Sequence, residues 1–243
     1  MKHRTRLFVA GTCLFALASG HAADRMTEAR LAMIQEIEED VRLTSLSLDK
    51  ESLDPRVMQA MAAVPRHRLV PDKLQDVAYA NRPLPIGHGQ TISQPYIVAV
   101  MTDMLNIEPG HRVLEVGTGS GYQAAILAEL GAQVYTIEII EPLGERARGD
   151  LKALGYDNIE VRIGDGYYGW ESEAPFHAIV VTAAASHIPP PLIEQLQPDG
   201  RMVIPVGSRF MVQQLVLVEK DAAGEVTTRQ ILPVRFVPLT GSH

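Results

Sequence analysis

The sequence predicts an α/β fold, a mostly parallel sheet with helices on both faces and a C-terminal antiparallel hairpin. Three observations carry this. Strand-like apolar runs at 112–116, 134–139, 159–163 and 177–182 alternate with helical stretches at 123–130 and 143–154, an order that right-handed crossovers turn into parallel strands. A glycine-rich turn follows the first run, at the place where open α/β sheets hold ligands. Residues 213–219 and 228–236, joined by turn residues at 221–224, form the closing pair.

The remaining elements follow from local chemistry. Residues 1–6 carry Lys2, Arg4 and Arg6, residues 7–18 are apolar, and Ser19-Gly20-His21-Ala22-Ala23 are small or polar. That order matches a secretory signal over 1–22, cut after Ala22 or Gly20; an amphipathic helix folded onto the domain is the alternative. Apolar Leu31, Ile34, Ile37 and Val41 stand at helical spacing, predicting a helix over 23–41. Asp54-Pro55 starts another, because Asp caps a helix and Pro is preorganised for its first turn, and Pro65 stops it. Residues 65–95 read as a long functional loop, punctuated by Pro71, Pro83, Pro85, Gly87 and Gly89. Short helices at 96–105 and 190–196 and a fifth strand at 201–206 complete the set. The expected organisation is a signal at 1–22, a helical and loop region at 23–105, and the sheet domain at 106–243.

Composition excludes several classes. The 243 residues are 46% hydrophobic and 21% charged, enough for one well-buried core. With 19 Gly and 16 Pro, usage is ordinary and collagen-like or low-complexity readings fail. A net charge of −7 with a pI near 5.6 argues against nucleic acid as the main partner. No stretch reaches the ~18–20 apolar residues of a membrane span, so no stable membrane association is expected. Loss of 1–22 would leave 19 basic against 29 acidic residues and remove Cys13, the single cysteine. The mature chain would then lack disulfides, thiol nucleophiles and thiolate metal sites.

The glycine turn decides the ligand by its details. Val113-Leu114-Glu115-Val116-Gly117-Thr118-Gly119-Ser120-Gly121-Tyr122 has glycines at alternate positions, and its strand ends in Glu115. A dinucleotide fingerprint needs a small residue where Tyr122 stands, and a carboxylate beside the loop repels a pyrophosphate. The same carboxylate suits an ammonium group. No Gly-Lys-Ser/Thr follows, so the Walker phosphate loop is absent. Glu138 ends the second strand about 20 residues on, placed to hold two ribose hydroxyls. Asp165, in Gly164-Asp165-Gly166 after the third strand, is placed to accept from an adenine amino group. An amino acid head, a ribose, an adenine and no phosphate describe S-adenosylmethionine.

With these residues in place, the chain resembles the protein-L-isoaspartate O-methyltransferase family from about Val64 to Leu239. The resemblance rests on Val64-Pro65-Arg66, Pro83-Leu84-Pro85-Ile86-Gly87, Gly89-Gln90-Thr91-Ile92-Ser93-Gln94-Pro95, Val181-Thr182-Ala183-Ala184 and Val234-Arg235-Phe236-Val237-Pro238-Leu239. Leu69 and Asn81 depart from the family pattern, as does the N-terminal extension. The resemblance implies a Rossmann-like class I S-adenosylmethionine-dependent methyltransferase. Its acceptor is the free carboxylate of L-isoaspartyl and D-aspartyl residues in damaged proteins and peptides. Such a carboxylate is ionised at neutral pH, with a reference pKa near ~3.5, and needs no general base. Alignment of the reacting atoms can supply on the order of 7–11 kcal/mol. The neighbouring backbone amide nitrogen then attacks the ester carbonyl, closing a succinimide and expelling methanol, and hydrolysis of the ring returns some normal aspartate.

The resemblance also assigns roles. Ser93 becomes the active-site hydroxyl, although it equally suits a cap for the helix that follows. Glu115, Gly117, Thr118, Gly119, Glu138, Asp165, Gly166 and Thr240 are expected to hold the cofactor. Thr91, Ile92, Arg235 and Val237 are expected to meet the substrate, with the backbone of 234–237 pairing to an extended peptide. His67, His88, His177 and His187 lack ligand spacing and no metal is expected. Tyr167, Tyr168 and Trp170 fit either the adenine or the core. The protein is expected to be a monomer and exported, periplasmic in a bacterium; the cytoplasm, the usual family location, is the alternative. Competing functions are a methyltransferase for another acceptor and a non-catalytic exported binding protein on the same fold.

Overall fold

The computed structural model describes residues 13–208 and 212–241. Most of the proposed signal's basic head and apolar run lies outside the described residues. From Cys13 the backbone is helical in one piece to Leu43 (α1), so the helix predicted at 23–41 extends at both ends. A short α2 (Ser45–Leu48) and α3 (Pro55–Ala63) follow. The Asp54 carboxylate caps α3 by accepting from the Arg56 amide at 2.7 Å, with Pro55 opening the first turn as predicted.

Residues 65–95 are not a featureless loop. They hold two 3₁₀ turns, Arg66–Leu69 and Asp72–Val77, and then a hairpin of β1 (Leu84–Gly87) and β2 (Gln90–Ile92). Proline density hid the hairpin, because Pro85 sits on a two-stranded edge where a missing N–H is tolerated. Arg66 is fully buried; its Nε donates to the Ala78 carbonyl at 2.8 Å, and its guanidinium lies 4.6 Å from the centre of the Tyr122 ring. Burial draws its pKa down to about 10. This cation–π contact ties the 66–82 segment to the helix that opens beside the glycine turn.

The main sheet has seven strands. They are β3 (Arg112–Val116), β4 (Gln133–Glu138), β5 (Ile159–Ile163), β6 (Phe176–Val181), β7 (Leu196–Val206), β8 (Gln213–Lys220) and β9 (Val226–Val234). Their spatial order is β5-β4-β3-β6-β7-β8-β9, parallel through β7 and antiparallel for the last two pairings. The chain winds outward from β3 to β4 and β5 on one side and then to β6 and β7 on the other, and this change of winding marks the topological switch point at β3. β7 starts five residues earlier than predicted. Pro198-Asp199-Gly200 reads as a turn, but Asp199 takes a φ of 61° within a strand whose register against β6 shifts, an accommodated irregularity.

Strand alternation divides the core. Val113, Val134, Val180 and Val203 face α4 (Pro95–Met104), α5 (Tyr122–Glu129) and α6 (Glu141–Ala153), and this cluster continues into α1, α3 and the β1–β2 hairpin. Leu114, Ile137, Ile179 and Met202 face the other way, beneath α7 (Pro190–Gln195) and Trp170. Both faces are covered, as parallel strands require, but the first far more deeply. Among the described residues no helix is long and apolar enough to cross a membrane.

Candidate active site

The glycine turn joins β3 to α5 through three left-handed positions, Gly117 (φ 100°), Gly119 (φ 54°) and Gly121 (φ 82°). A Cβ on Gly117 would lie 2.5 Å from Thr182 Oγ1, so conformation and space both demand glycine there. Its amides are already engaged. Gly117 and Thr118 both donate to the Ile137 carbonyl, at 2.8 and 3.2 Å, and Gly121 donates to Thr118 at 2.8 Å. The Gly119 amide donates to Glu138 Oε2 at 2.8 Å. A pyrophosphate cradle needs these N–H groups free; here protein acceptors, one of them a carboxylate, hold them. The phosphate-binding alternative fails on that count.

Glu115 is fully buried. Its Oε2 accepts from Thr136 Oγ1 at 2.5 Å, Thr136 Oγ1 lies 2.7 Å from Thr118 Oγ1, and Glu115 Oε1 has no partner among the described residues. Burial, helped by the nearby Glu138, pushes its pKa up to about 8. A cationic group brought beside this under-satisfied acid would draw its pKa back down and ionise it, so the site suits a ligand that carries a positive charge. Glu138 Oε1 accepts from the Ile140 amide at 2.9 Å, so each Glu138 oxygen keeps one lone pair for a hydroxyl.

A cleft of about 760 Å³, counted with its open mouth, lies over these strand tips. Glu115, Gly117, Thr118, Gly119, Glu138, Gly166 and Thr240 line it, seven of the eight residues expected to hold a cofactor. Asp165 does not line it. Its Oδ1 accepts from the Tyr167 amide at 3.0 Å, capping the 3₁₀ turn Gly166–Tyr168, and a Cβ on Gly241 would run into its carboxylate. Trp170 packs edge-on against Tyr135 with centroids 5.6 Å apart, and Tyr168 is exposed, so none of the three aromatic residues lines the cleft. His67 bonds the Tyr79 hydroxyl at 2.8 Å, His177 accepts from the Arg112 amide at 3.1 Å, and His187 lies 3.2 Å from the Tyr167 hydroxyl.

A second groove, of about 890 Å³ counted with its open mouth, adjoins the first and carries Arg235, Phe236 and Pro83 along its walls. Thr91, Ser93, Thr182 and Val237 line both. Ile92 borders the first alone and Arg235 the second alone. Ser93 is not the cap of α4: that position belongs to Gln94, which makes no side-chain cap bond. The last strand also stops short of 236. Phe236 donates its amide to Gln213 Oε1 at 2.6 Å and its carbonyl accepts from Gln213 Nε2 at 3.1 Å, so this residue has no main-chain pair left for a peptide. Sequence reasoning missed Thr182, Thr136 and Gln123. Gln123 opens onto the first cleft while its Nε2 donates to Thr102 Oγ1 at 2.8 Å. Only Thr182 had a signal, its place at the carboxyl end of the predicted strand 177–182; the observed strand ends one residue earlier.

A parallel sheet, a glycine turn with its amides engaged, and carboxylates at two neighbouring strand tips define an S-adenosylmethionine-dependent methyltransferase. The sequence profile of the protein-L-isoaspartate(D-aspartate) O-methyltransferase family matches residues 42–243, and the chain belongs to that family. It is 66% identical over 226 residues to protein-L-isoaspartate O-methyltransferase 2 of Syntrophobacter fumaroxidans, covering 93% of this chain and 92% of that one. The protein of the same name from a Polaromonas species is 68% identical over 211 residues, covering 87% of this chain and all of that one, 100%. A solved structure from Plasmodium falciparum, named for the same activity and in complex with S-adenosyl-L-homocysteine, superposes with a TM-score of 0.69 at 25% identity. That alignment covers 84% of this chain and 97% of the other.

Proposed function

We propose that this protein transfers the methyl group of S-adenosylmethionine to the free carboxylate of L-isoaspartyl and D-aspartyl residues, starting their repair through a succinimide. The single observation that carries the reading is the junction: the acid-lined cleft and the second groove share Thr91, Ser93, Thr182 and Val237. The residues present fit the cofactor, since the unpartnered Glu115 oxygen awaits a cationic group and the engaged loop amides refuse a phosphate. Glu115, Gly117, Thr118, Gly119, Glu138, Gly166 and Thr240 would hold it. When bound, S-adenosylmethionine supplies an electrophilic methyl on a cationic sulfur that keeps the electron pair of the broken bond.

The protein's part is alignment. The substrate carboxylate arrives ionised, so no base is required. Ser93, half-buried at the junction, donates its hydroxyl proton to one carboxylate oxygen and orients the other, a charge-assisted bond worth roughly 1.5–3 kcal/mol. Thr91 and Val237 flank it, and exposed Arg235 adds charge complementarity further out. Transfer of labelled methyl to an isoaspartyl peptide, but not to its aspartyl isomer, tests the reading. Transfer to neither peptide, with S-adenosylhomocysteine still bound, would instead support the scaffold or another-acceptor reading.

We also propose export of the protein, supported by the basic head and apolar run that precede Ser19. N-terminal sequencing of the protein from fractionated cells is expected to begin at His21 or Ala23. An intact Met1 in the cytosol would overturn the proposal.

A further inference from the structure

The tip of β6 holds both walls of the junction. On one side, Thr182 grips the glycine turn. Its amide donates to the Val116 carbonyl at 2.9 Å, and its Oγ1 lies 3.0 Å from the same oxygen and 2.6 Å from the Gly117 carbonyl. One hydroxyl proton is shared between those two acceptors, and the oxygen fills the space that a Cβ on Gly117 would need. On the other side, the Ala184 amide donates to the Val237 carbonyl at 2.8 Å and its carbonyl accepts from the Leu239 amide at 2.7 Å. Three consecutive residues therefore connect the turn of the donor cleft to the wall of the acceptor groove.

We propose that Thr182 is a positioning residue that fixes the height of the glycine turn against the Val237 wall, and so the distance between methyl donor and acceptor carboxylate. The inference rests on the donor lying in the cleft over that turn. Backbone bonds alone leave the Gly117 carbonyl uncommitted among the contacts described; the threonine hydroxyl commits it. Thr182 also lines both grooves, so a shift of the turn and a shift of the acceptor are felt at the same residue.

Thr182→Val puts a methyl where the hydroxyl stood 2.6 Å from the Gly117 carbonyl, so it removes the bond and pushes the turn outward, and Thr182→Ser keeps the hydroxyl. The turn itself is read by hydrogen exchange at the Gly117 and Thr118 amides, which both donate to Ile137. In Thr182→Val these two amides are expected to exchange at least about tenfold faster, with Tm lowered by no more than about 2–4 °C and a several-fold weaker Kd for S-adenosylhomocysteine. The same variant is expected to lower kcat about tenfold or more while KM for the isoaspartyl peptide stays within about twofold. Thr182→Ser is expected to recover most of both losses. Unchanged exchange and kcat in the valine variant, or serine failing to recover them, overturns the proposal. Wild-type protein in the same assay separates the two claims: a wild type inactive on isoaspartyl peptide refutes the enzyme reading, while the exchange result still decides the role of Thr182.

Discussion

The donor cleft and the acceptor groove meet at four residues, yet they are built by opposite means. The cleft is made from strand tips. Its acids are buried, its backbone amides are consumed, and its shape follows from the register of β3, β4 and β6. The groove is made from irregular chain: a proline-bearing hairpin, the end of β9 and the segment after it, held by the Gln213 side chain and an isolated backbone bridge to Ala184 rather than by a continuous ladder. The difference teaches where each kind of specificity lives. A rigid, low-dielectric cleft suits a small charged ligand met in one pose, whereas an open groove with backbone and apolar walls suits a peptide whose side chains vary.

The comparison breaks first at Gly117. Gly117→Ala puts a methyl group against Thr182 Oγ1 and demands a φ of 100°, a strain of order 1–3 kcal/mol. Its kcat/KM is expected to fall more than about 100-fold with loss of S-adenosylhomocysteine binding by calorimetry, because the damage lies on the donor side. Retained binding would contradict the stated geometry. Ser93→Ala probes the junction from the acceptor side. A fall of about ten- to a hundredfold in kcat/KM for the isoaspartyl peptide is expected, with cofactor affinity intact. Equal turnover in the variant would remove Ser93 from the mechanism.

Burial of Glu115 gives the donor side a pH signature that the groove lacks. Its pKa rises to about 8 from the ordinary carboxyl value of 4.5, so the folded chain holds a proton that the unfolded chain has released. Where the native state binds more protons, stability falls as pH rises. Stability from this group is full below the unfolded value and is lost progressively up to the folded one. Ligand-free wild type is therefore expected to lose Tm relative to Glu115→Gln from about pH 5 to about pH 8, and no further above it. Parallel curves for the two proteins would show that Glu115 is ionised throughout. The smallest effect belongs to Arg235→Ala. An exposed charge is worth about 0–1 kcal/mol, so KM for an acidic peptide should rise less than about fivefold and the difference should vanish in high salt.

Legibility in the sequence follows the same divide. The strands β3 and β5 are found at their predicted bounds, and β4 and β6 within one residue: β3, β4 and β6 are buried and largely apolar, while β5, at the sheet edge, alternates half-buried Ile159, Val161 and Ile163 with exposed Glu160 and Arg162. The cleft acids Glu115 and Glu138 were legible by their place at the carboxyl ends of β3 and β4. Asp165 followed the same rule and yet caps a turn, since an Asp before a 3₁₀ segment is drawn to the nearest amide. The β1–β2 hairpin was hidden by its prolines, the real end of β9 by an apolar run that continues past it, and the early start of β7 by an apparent turn. Thr182 and Thr136 act through partners 65 and 21 residues away, a separation that no local pattern encodes.

The most direct test is a crystal structure with S-adenosylhomocysteine and an isoaspartyl peptide bound together. The sulfur should lie in the cleft above Gly117, with the peptide carboxylate in the adjoining groove and one of its oxygens within hydrogen-bond reach of Ser93 Oγ. A peptide seated elsewhere, or a carboxylate turned away from the sulfur at that junction, would contradict the account.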